Sequence, residues 1–290
     1  MKLGFYPKLA WTGMRSNRKL YLPYLITCIS MVAMLYIVGY LSGAEAVRHL
    51  PGGQFIQESL GLGVWIIALF AGLFLVYSSS FLMRRRKKEF GLYNILGMGK
   101  GHLGMVVFWE TVMTAVISIS GGLVAGIMLS KLSELCIVNI VGGEVDYSLT
   151  ISGRSVITAC IVFAVIFLVI MVKSLWQIRR TNAINLLKSE NVGEKLPRLH
   201  WFWGTLGAVV LGAAYYLALS IEDPLSALFI FFGAVSMVIV ATYLLFMSGS
   251  VLLCKLLQKN KRYYYKPNHF VSVSSMAYRM TRNGAGLASI

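Results

Sequence analysis

The chain has 290 residues, 57% of them hydrophobic and only 13% charged, with a formal net charge of +16 and a mean hydropathy of +0.71. Soluble domains carry about a quarter charged residues, so the composition excludes a soluble enzyme and points to a polytopic membrane protein. Three of the four cysteines, Cys28, Cys160 and Cys254, lie inside apolar runs and Cys136 stands alone at a helix end; this predicts free thiols and no bridge.

Apolar runs of about 20 residues cross roughly 30 Å of hydrocarbon as helices, and six occur. Residues 1–20 form an amphipathic cytoplasmic segment, and the first span follows at 21–41 with Pro23 in its first turn, where a missing N–H costs least. That run is too long for a secretory signal and has no small-residue cleavage site. The remaining spans are predicted at 60–83, 106–129, 155–176, 201–220 and 225–254, and a seventh is expected to begin near Gly284. None shows the ten-residue alternation of an outer-membrane barrel, and lipid offers no partner for backbone groups, so each must be helical. The fold class is an all-α polytopic membrane protein with six complete transmembrane helices, the start of a seventh, and a cytoplasmic N-terminus. Residues 21–190 hold the first four helices, 191–200 a cytoplasmic linker, 201–257 the fifth and sixth helices, and 258–290 a cytoplasmic segment leading into the seventh.

The orientation comes from the basic residues. With the N-terminus inside, all of them fall on the cytoplasmic side except Arg48, Lys131 and Arg154. The acidic residues lean the other way, with Glu45, Glu58, Glu134, Glu144, Asp146, Glu222 and Asp223 outside. The positive charge is therefore a topology signal, and no nucleic-acid partner is expected. The outer loops at 42–59, 130–154 and 221–224 are too short to fold as an ectodomain.

Few residues suggest chemistry. His49, His102, His200 and His269 have no second ligand at helical spacing, so no metal is expected. No Gly-x-Ser-x-Gly elbow is present. Gly97-Met98-Gly99-Lys100-Gly101 looks like a phosphate loop, but Asn94 stands where the first glycine belongs and Gly101 where Ser or Thr belongs. Within the spans Glu110 is the one candidate carboxylate. It reads more readily as a boundary carboxylate near the basic cluster than as a proton relay, and uncharged spans disfavour an ion-coupled carrier. Small residues recur at four-residue spacing, at Ser118, Gly122, Gly126 and Ser130, at Gly204, Ala208 and Gly212, and at Gly39 with Gly43, and predict helix-packing seams.

The segment 84–105 carries the strongest signal. Arg84-Arg85-Arg86-Lys87-Lys88 is a positive anchor after the second span. Phe90, Tyr93, Asn94 and Gly97 then follow i, i+3, i+4, i+7 spacing, with Leu92, Ile95 and Leu96 beside them. Gly97 and Gly99 can end the helix in left-handed geometry. Such a helix can rest in the interface on anionic lipid or fit a groove on a cytoplasmic partner; the residues alone leave both readings open.

The run Lys88-Glu89-Phe90-Gly91-Leu92-Tyr93-Asn94-Ile95-Leu96-Gly97-Met98 resembles the signature after the second span of FtsX-like ABC-transporter permeases, and its Lys-Glu-Phe-Gly-Leu-Tyr form is most similar to the bacitracin-export, or BceB-like, branch. Leu9–Lys19 resembles the start of that family, and Arg179–Lys188 the segment that closes its first four-span domain; Met276–Asn283 loosely echoes residues 9–17. The short loop between the first two spans departs from the MacB-like branch, which carries a periplasmic domain there. The resemblance covers essentially the whole chain. It implies the N-terminal part of a ten-span permease whose ectodomain lies further on, as a fragment or as a naturally short relative, and the end at Ile290, just into an apolar run, favours a fragment.

What it implies functionally is a permease subunit in the bacterial plasma membrane, not an enzyme itself. ATP hydrolysis by a separate ABC ATPase dimer would be coupled to export, removal or sensing of antimicrobial peptides or lipid-linked cell-wall intermediates. Lys88, Glu89, Phe90, Gly91, Leu92, Tyr93, Leu96 and Gly97 would form the coupling helix on the ATPase. No cofactor is implied on this chain; ATP and Mg belong to the partner. The same resemblance permits a membrane histidine kinase as a second partner, and hence the alternative of a non-transporting sensor or scaffold that signals peptide stress.

Overall fold

The computed structural model describes residues 4–141, 150–180, 201–220 and 224–259, with the single positions 264 and 270. Among them the chain is helical throughout, without a strand. The helices are α1 (Phe5–Ser16), α2 (Arg18–Leu41), α3 (Glu45–Arg48), α4 (Gly53–Arg85), α5 (Lys87–Ile95), α6 (Lys100–Val141), α7 (Gly153–Arg180), α8 (Trp201–Leu219) and α9 (Pro224–Lys259). Six of them, α2, α4, α6, α7, α8 and α9, are long and apolar enough to cross a membrane. The expected seventh helix near Gly284, the echo at 276–283 and most of the segment 179–188 lie outside the described residues.

The chain divides into two compact units, Met1–Glu190 and Asn191–Ile290. In the first, α2 packs against α4, α6 and α7. It is apolar nearly all round, the pattern of a helix surrounded by others. Cys28, Val32 and Leu35 of α2 meet Ala71 and Leu75 of α4 and Ala159, Phe163 and Ile166 of α7. The other helices turn apolar side chains outward, among them Trp65, Val116, Met128 and Leu168, because the solvent on that side is hydrocarbon.

Several boundaries differ from the sequence expectation. α4 begins at Gly53 and α6 continues to Val141, so parts of both long outer loops are helix. The 42 residues of α6 extend about 63 Å, twice the roughly 30 Å of the hydrocarbon core, so charged residues near its far end remain in helix beyond the apolar layer. α2 begins at Arg18, which places Pro23 in its second turn. The missing bond there is the one to the Lys19 carbonyl, still close to the helix end.

The α2–α6 contact is close. A Cβ at Gly122 would lie 2.4 Å from Val32 Cβ, and one at Gly126 would lie 3.0 Å from the Tyr36 ring; Ser118 and Ser130 on the same stripe are buried. Small side chains let the two backbones approach. Gly39 makes only ordinary contact with Ser155, and Gly43 lies past the end of α2.

In the second unit α8 packs on α9 along a different row from the one expected. A Cβ at Gly204 would lie 3.1 Å from Ser248 Oγ and one at Gly207 3.0 Å from Leu245 Cγ, whereas Gly212 has open space around it and Ala208 is exposed. The seam follows Gly204, Gly207 and the buried Ala214, an i, i+3, i+10 row; an i, i+4, i+8 row drifts about 40° per step and carries Ala208 and Gly212 off the contact.

The seam in the first unit is testable. Gly122→Val should destabilise the protein by about 1–3 kcal/mol through overpacking, seen as a lower melting temperature in detergent, while Gly212→Val should leave the melt unchanged.

Candidate functional site

The basic run after α4 breaks the helix at one residue. Arg86, with φ −91° and ψ 1°, separates the end of α4 from the start of α5. α5 ends in a Schellman arrangement: the Met98 N–H bonds to the Tyr93 carbonyl at 2.9 Å and the Gly97 N–H to the Asn94 carbonyl at 3.1 Å. Gly97 has φ +92°, which a side chain there would strain. Gly99, the other candidate, does not take this conformation.

α5 has two apolar faces, and they go to different places. Phe90 is 2% exposed and packs with Met83, Leu103, Val107 and Ile178, with Tyr93 partly buried beside it. Gly91 is buried as well. Leu92, Ile95 and Leu96 face out, Leu96 being 72% exposed. Of the residues expected to meet a partner, Phe90 and Gly91 are therefore inside the protein's own core, and Tyr93 is half inside. Lys88 lies in the first turn of α5, and Gly97 forms its C-terminal turn.

Arg86 does not belong with the solvated anchor to which the sequence assigned it. Its side chain is 1% exposed and turns inward to Glu110 of α6, which is 4% exposed. Arg86 Nη1 donates to Glu110 Oε2 and, at 2.6 Å, to the Tyr21 hydroxyl. Tyr21 in turn donates to Glu110 Oε2 at 3.1 Å. Arg86 Nε donates to Glu89 Oε2 at 3.1 Å, and the guanidinium carbon lies 4.9 Å from the Phe90 ring centre and 5.5 Å from that of Tyr21. Burial works against the charge, but the Tyr21 oxygen and the Glu110 and Glu89 carboxylates outweigh it, and the Arg86 pKa lies above its ordinary value.

α1 closes the site from the side. Asn17 is at once the C-cap of α1 and the N-cap of α2, and its Nδ2 donates to Glu89 Oε1 at 2.7 Å. Gly13 lies against the ion pair: a Cβ there would be 3.0 Å from Arg86 Nη2 and 3.2 Å from Glu110 Oε1. Those two atoms have no hydrogen-bond partner among the described residues. A cavity of about 30 Å³ lined by Tyr21, Tyr24, Ser79, Glu110, Thr111, Thr114 and Ser174 adjoins the pair, with room for water. Further along, Tyr6 meets His102 Nδ1 at 2.6 Å, joining the start of α1 to that of α6.

A second carboxylate of α6 is held in the same manner at its far end. Glu134, expected in an exposed loop, is buried. It accepts from Tyr40 of α2 at 2.7 Å and from Lys131 at 3.1 Å, while the Tyr40 oxygen also bonds to Thr150 Oγ1 at 2.6 Å. The α2–α6 pair is thus tied by a tyrosine and a carboxylate at each end, with the glycine seam between them.

Sequence reading missed Arg86, Tyr21, Asn17, Gly13 and Tyr40. Arg86 had a usable signal: it precedes Glu89 and Phe90 by three and four residues, which places it on the buried face of α5. For the others no local pattern distinguishes them from ordinary helical residues.

At this end of the first unit the arrangement forms a joint, with an apolar surface presented outward by α5. Removing one partner of the buried pair should cost more than removing both. Arg86→Met should lose about 3–5 kcal/mol by stranding Glu110, and the double variant Arg86→Met/Glu110→Gln should regain most of it, measured as thermal or denaturant unfolding in detergent.

Comparison with known proteins places this geometry in context. Residues 61–183, which contain α5 and Glu110, match the FtsX-like permease C-terminal family. The chain is 26% identical over 274 residues to the uncharacterized ABC transporter permease YvcS of Bacillus subtilis, covering 94% of this chain and 42% of that protein. It is 25% identical over 296 residues to the bacitracin export permease protein BceB of Bacillus subtilis, covering 98% and 45%, and 23% identical over 290 residues to BceB of Halalkalibacterium halodurans, covering 96% and 44%. The chain spans less than half the length of these curated relatives.

Proposed function

We propose that this chain, a multi-pass plasma-membrane protein of the FtsX-like ABC-permease family, is the part of a permease subunit that receives the motion of a separate ABC ATPase through α5. The observation that carries this reading is the division of α5 into two apolar faces. One face, Phe90 with Tyr93, anchors the helix to the protein's own core, and the other, Leu92, Ile95 and Leu96, is exposed beside a basic segment. A helix that merely rested on lipid would need one apolar face; a short rigid helix with a second face offered outward has the form of a knob for a groove on another protein.

In this reading the N-terminus and α5 are cytoplasmic, as the distribution of basic residues argues. ATP and Mg²⁺ are bound by the separate subunit, and closure of its dimer on nucleotide pushes α5. The push arrives at α6 and is spent on export, removal or sensing of a peptide or lipid-linked cell-wall intermediate. The class of substrate is inferred from the relatives named as bacitracin export permeases.

The test is co-expression with a candidate ABC ATPase from the same genome. The unsubstituted chain should retain that subunit through affinity purification, and Leu92→Asp/Leu96→Asp should reduce retention about tenfold or more, as expected when apolar anchors of an interface are lost, with membrane insertion unchanged. Undiminished retention in the double variant would sink the reading. ATP hydrolysis of the complex with and without bacitracin then separates a transporter, whose rate responds, from a passive scaffold, whose rate does not.

A further inference from the structure

α5 is nine residues long and joined to the spans on either side by breaks, one at Arg86 and one at residues 96–99. Held by those connectors alone, it would swing on them, and displacement of its outer face would be absorbed at the breaks. Phe90 opposes this by packing, but apolar contacts have no preferred direction and allow sliding. The hydrogen-bonded groups do not. Arg86 stands at the break itself and its side chain reaches three elements at once: α2 through Tyr21, α5 through Glu89, and α6 through Glu110. Asn17 adds the α1–α2 junction through the other oxygen of Glu89.

A guanidinium and a carboxylate this deeply buried cannot be separated without leaving each uncompensated, so the pair resists opening more strongly than an exposed bridge. α1 lies directly on it at Gly13, where no side chain is accommodated without pushing on Arg86 Nη2 and Glu110 Oε1. From Glu110 onward α6 continues unbroken to Glu134, which is tied to Tyr40 and through it to Thr150.

We propose that Arg86 is a positioning residue whose bonds to Glu110, Tyr21 and Glu89 make α5, the α1–α2 junction and α6 one rigid body, so that a displacement of α5 passes along α6 instead of being lost at the α4–α5 break. The functional consequence rests on the reading of α5 as the ATPase-contacting helix; the rigidity does not.

The experiment uses the full chain in lipid nanodiscs, with its native cysteines replaced (Cys28→Ala, Cys136→Ser, Cys160→Ala, Cys254→Ala) and spin labels at Ser16→Cys on α1 and Ile95→Cys on α5, both exposed. The parent should give one narrow distance distribution. Arg86→Met/Glu110→Gln, which is predicted above to recover stability, should broaden it about twofold or more, since a local joint can open while global stability is kept. A distribution as narrow as the parent's in this stable double variant would overturn the proposal, because the pair would then be a packing feature only. If the double variant itself fails to fold, Tyr21→Phe serves in its place, removing two hydrogen bonds of the joint and no charge, with the same two outcomes. On the unlabelled double variant, the ATPase subunit should still co-purify while hydrolysis by the complex falls to near the rate of the free subunit; hydrolysis kept at the parent level would overturn the transmission. If the ATPase does not associate even with the unsubstituted chain, the reading of α5 as its contact fails, and the label distances still decide the rigid joint.

Discussion

The rest of the first unit depends on the burial of the Arg86 charge. A guanidinium removed from water at the edge of a bilayer is costly unless its donors and its charge are both met. Meeting them fixes several things that otherwise look unrelated. α6 must carry a carboxylate on its own buried stripe, which is Glu110. α2 must begin early enough to bring Tyr21 alongside, which requires α1 to end at Asn17. α1 must then pass over the pair without a side chain, which is why Gly13 stands there.

The same logic is repeated at the far end with smaller stakes. Glu134 is paired with Lys131 one turn earlier on its own helix and accepts from Tyr40 of α2. The two tyrosines lie 19 residues apart on α2 and the two carboxylates 24 apart on α6, rises of about 28 Å and 36 Å. Between the two ties the backbones approach at Gly122 and Gly126. Close approach in the middle and polar bonds at the ends are complementary: small residues permit van der Waals contact but leave the helices free to slide, and the terminal hydrogen bonds fix their register.

The spans were legible in the sequence because the bilayer imposes length and apolarity on each of them, and the six long helices fall where the apolar runs lie. The additional helix at 53–59 and at 130–141 was not, since polar residues such as Gln57, Glu58, Lys131 and Glu134 there break the hydropathy signal without breaking the helix. The stripe at Ser118, Gly122 and Gly126 could be drawn from spacing alone, but which α8 glycines face α9 depends on a crossing angle that spacing does not contain, and Gly212 was misplaced for that reason. At the joint, periodicity found the amphipathic character of α5 and could not say that its apolar residues divide between two neighbours. Arg86 was hidden for a different reason: in a run of five basic residues, hydropathy and charge are nearly the same at each position, and only its spacing to Glu89 and Phe90 and its tertiary partner Glu110, 24 residues away, single it out.

That concealment bears on how such joints are built. The positive-inside rule fills the cytoplasmic end of a span with Arg and Lys for reasons of insertion, so a chain emerging there has several cations at hand and needs only one acidic residue on a neighbouring helix to recruit one of them inward. Arginine suits this better than lysine, because its fork can serve Glu110 and Tyr21 with one nitrogen and Glu89 with another while its planar face lies near the rings of Tyr21 and Phe90. A lysine has one nitrogen to spend and could not hold carboxylates on two helices in fixed directions. The break at residue 86 is then a consequence of the same geometry: continuing α4 as a straight helix would carry Glu89 and Phe90 away from Asn17 and the Leu103–Val107 face, and the three groups that fix α5 could not be satisfied together. A turn in the chain, a buried charge and a rigid outward-facing helix are in this sense one structural solution.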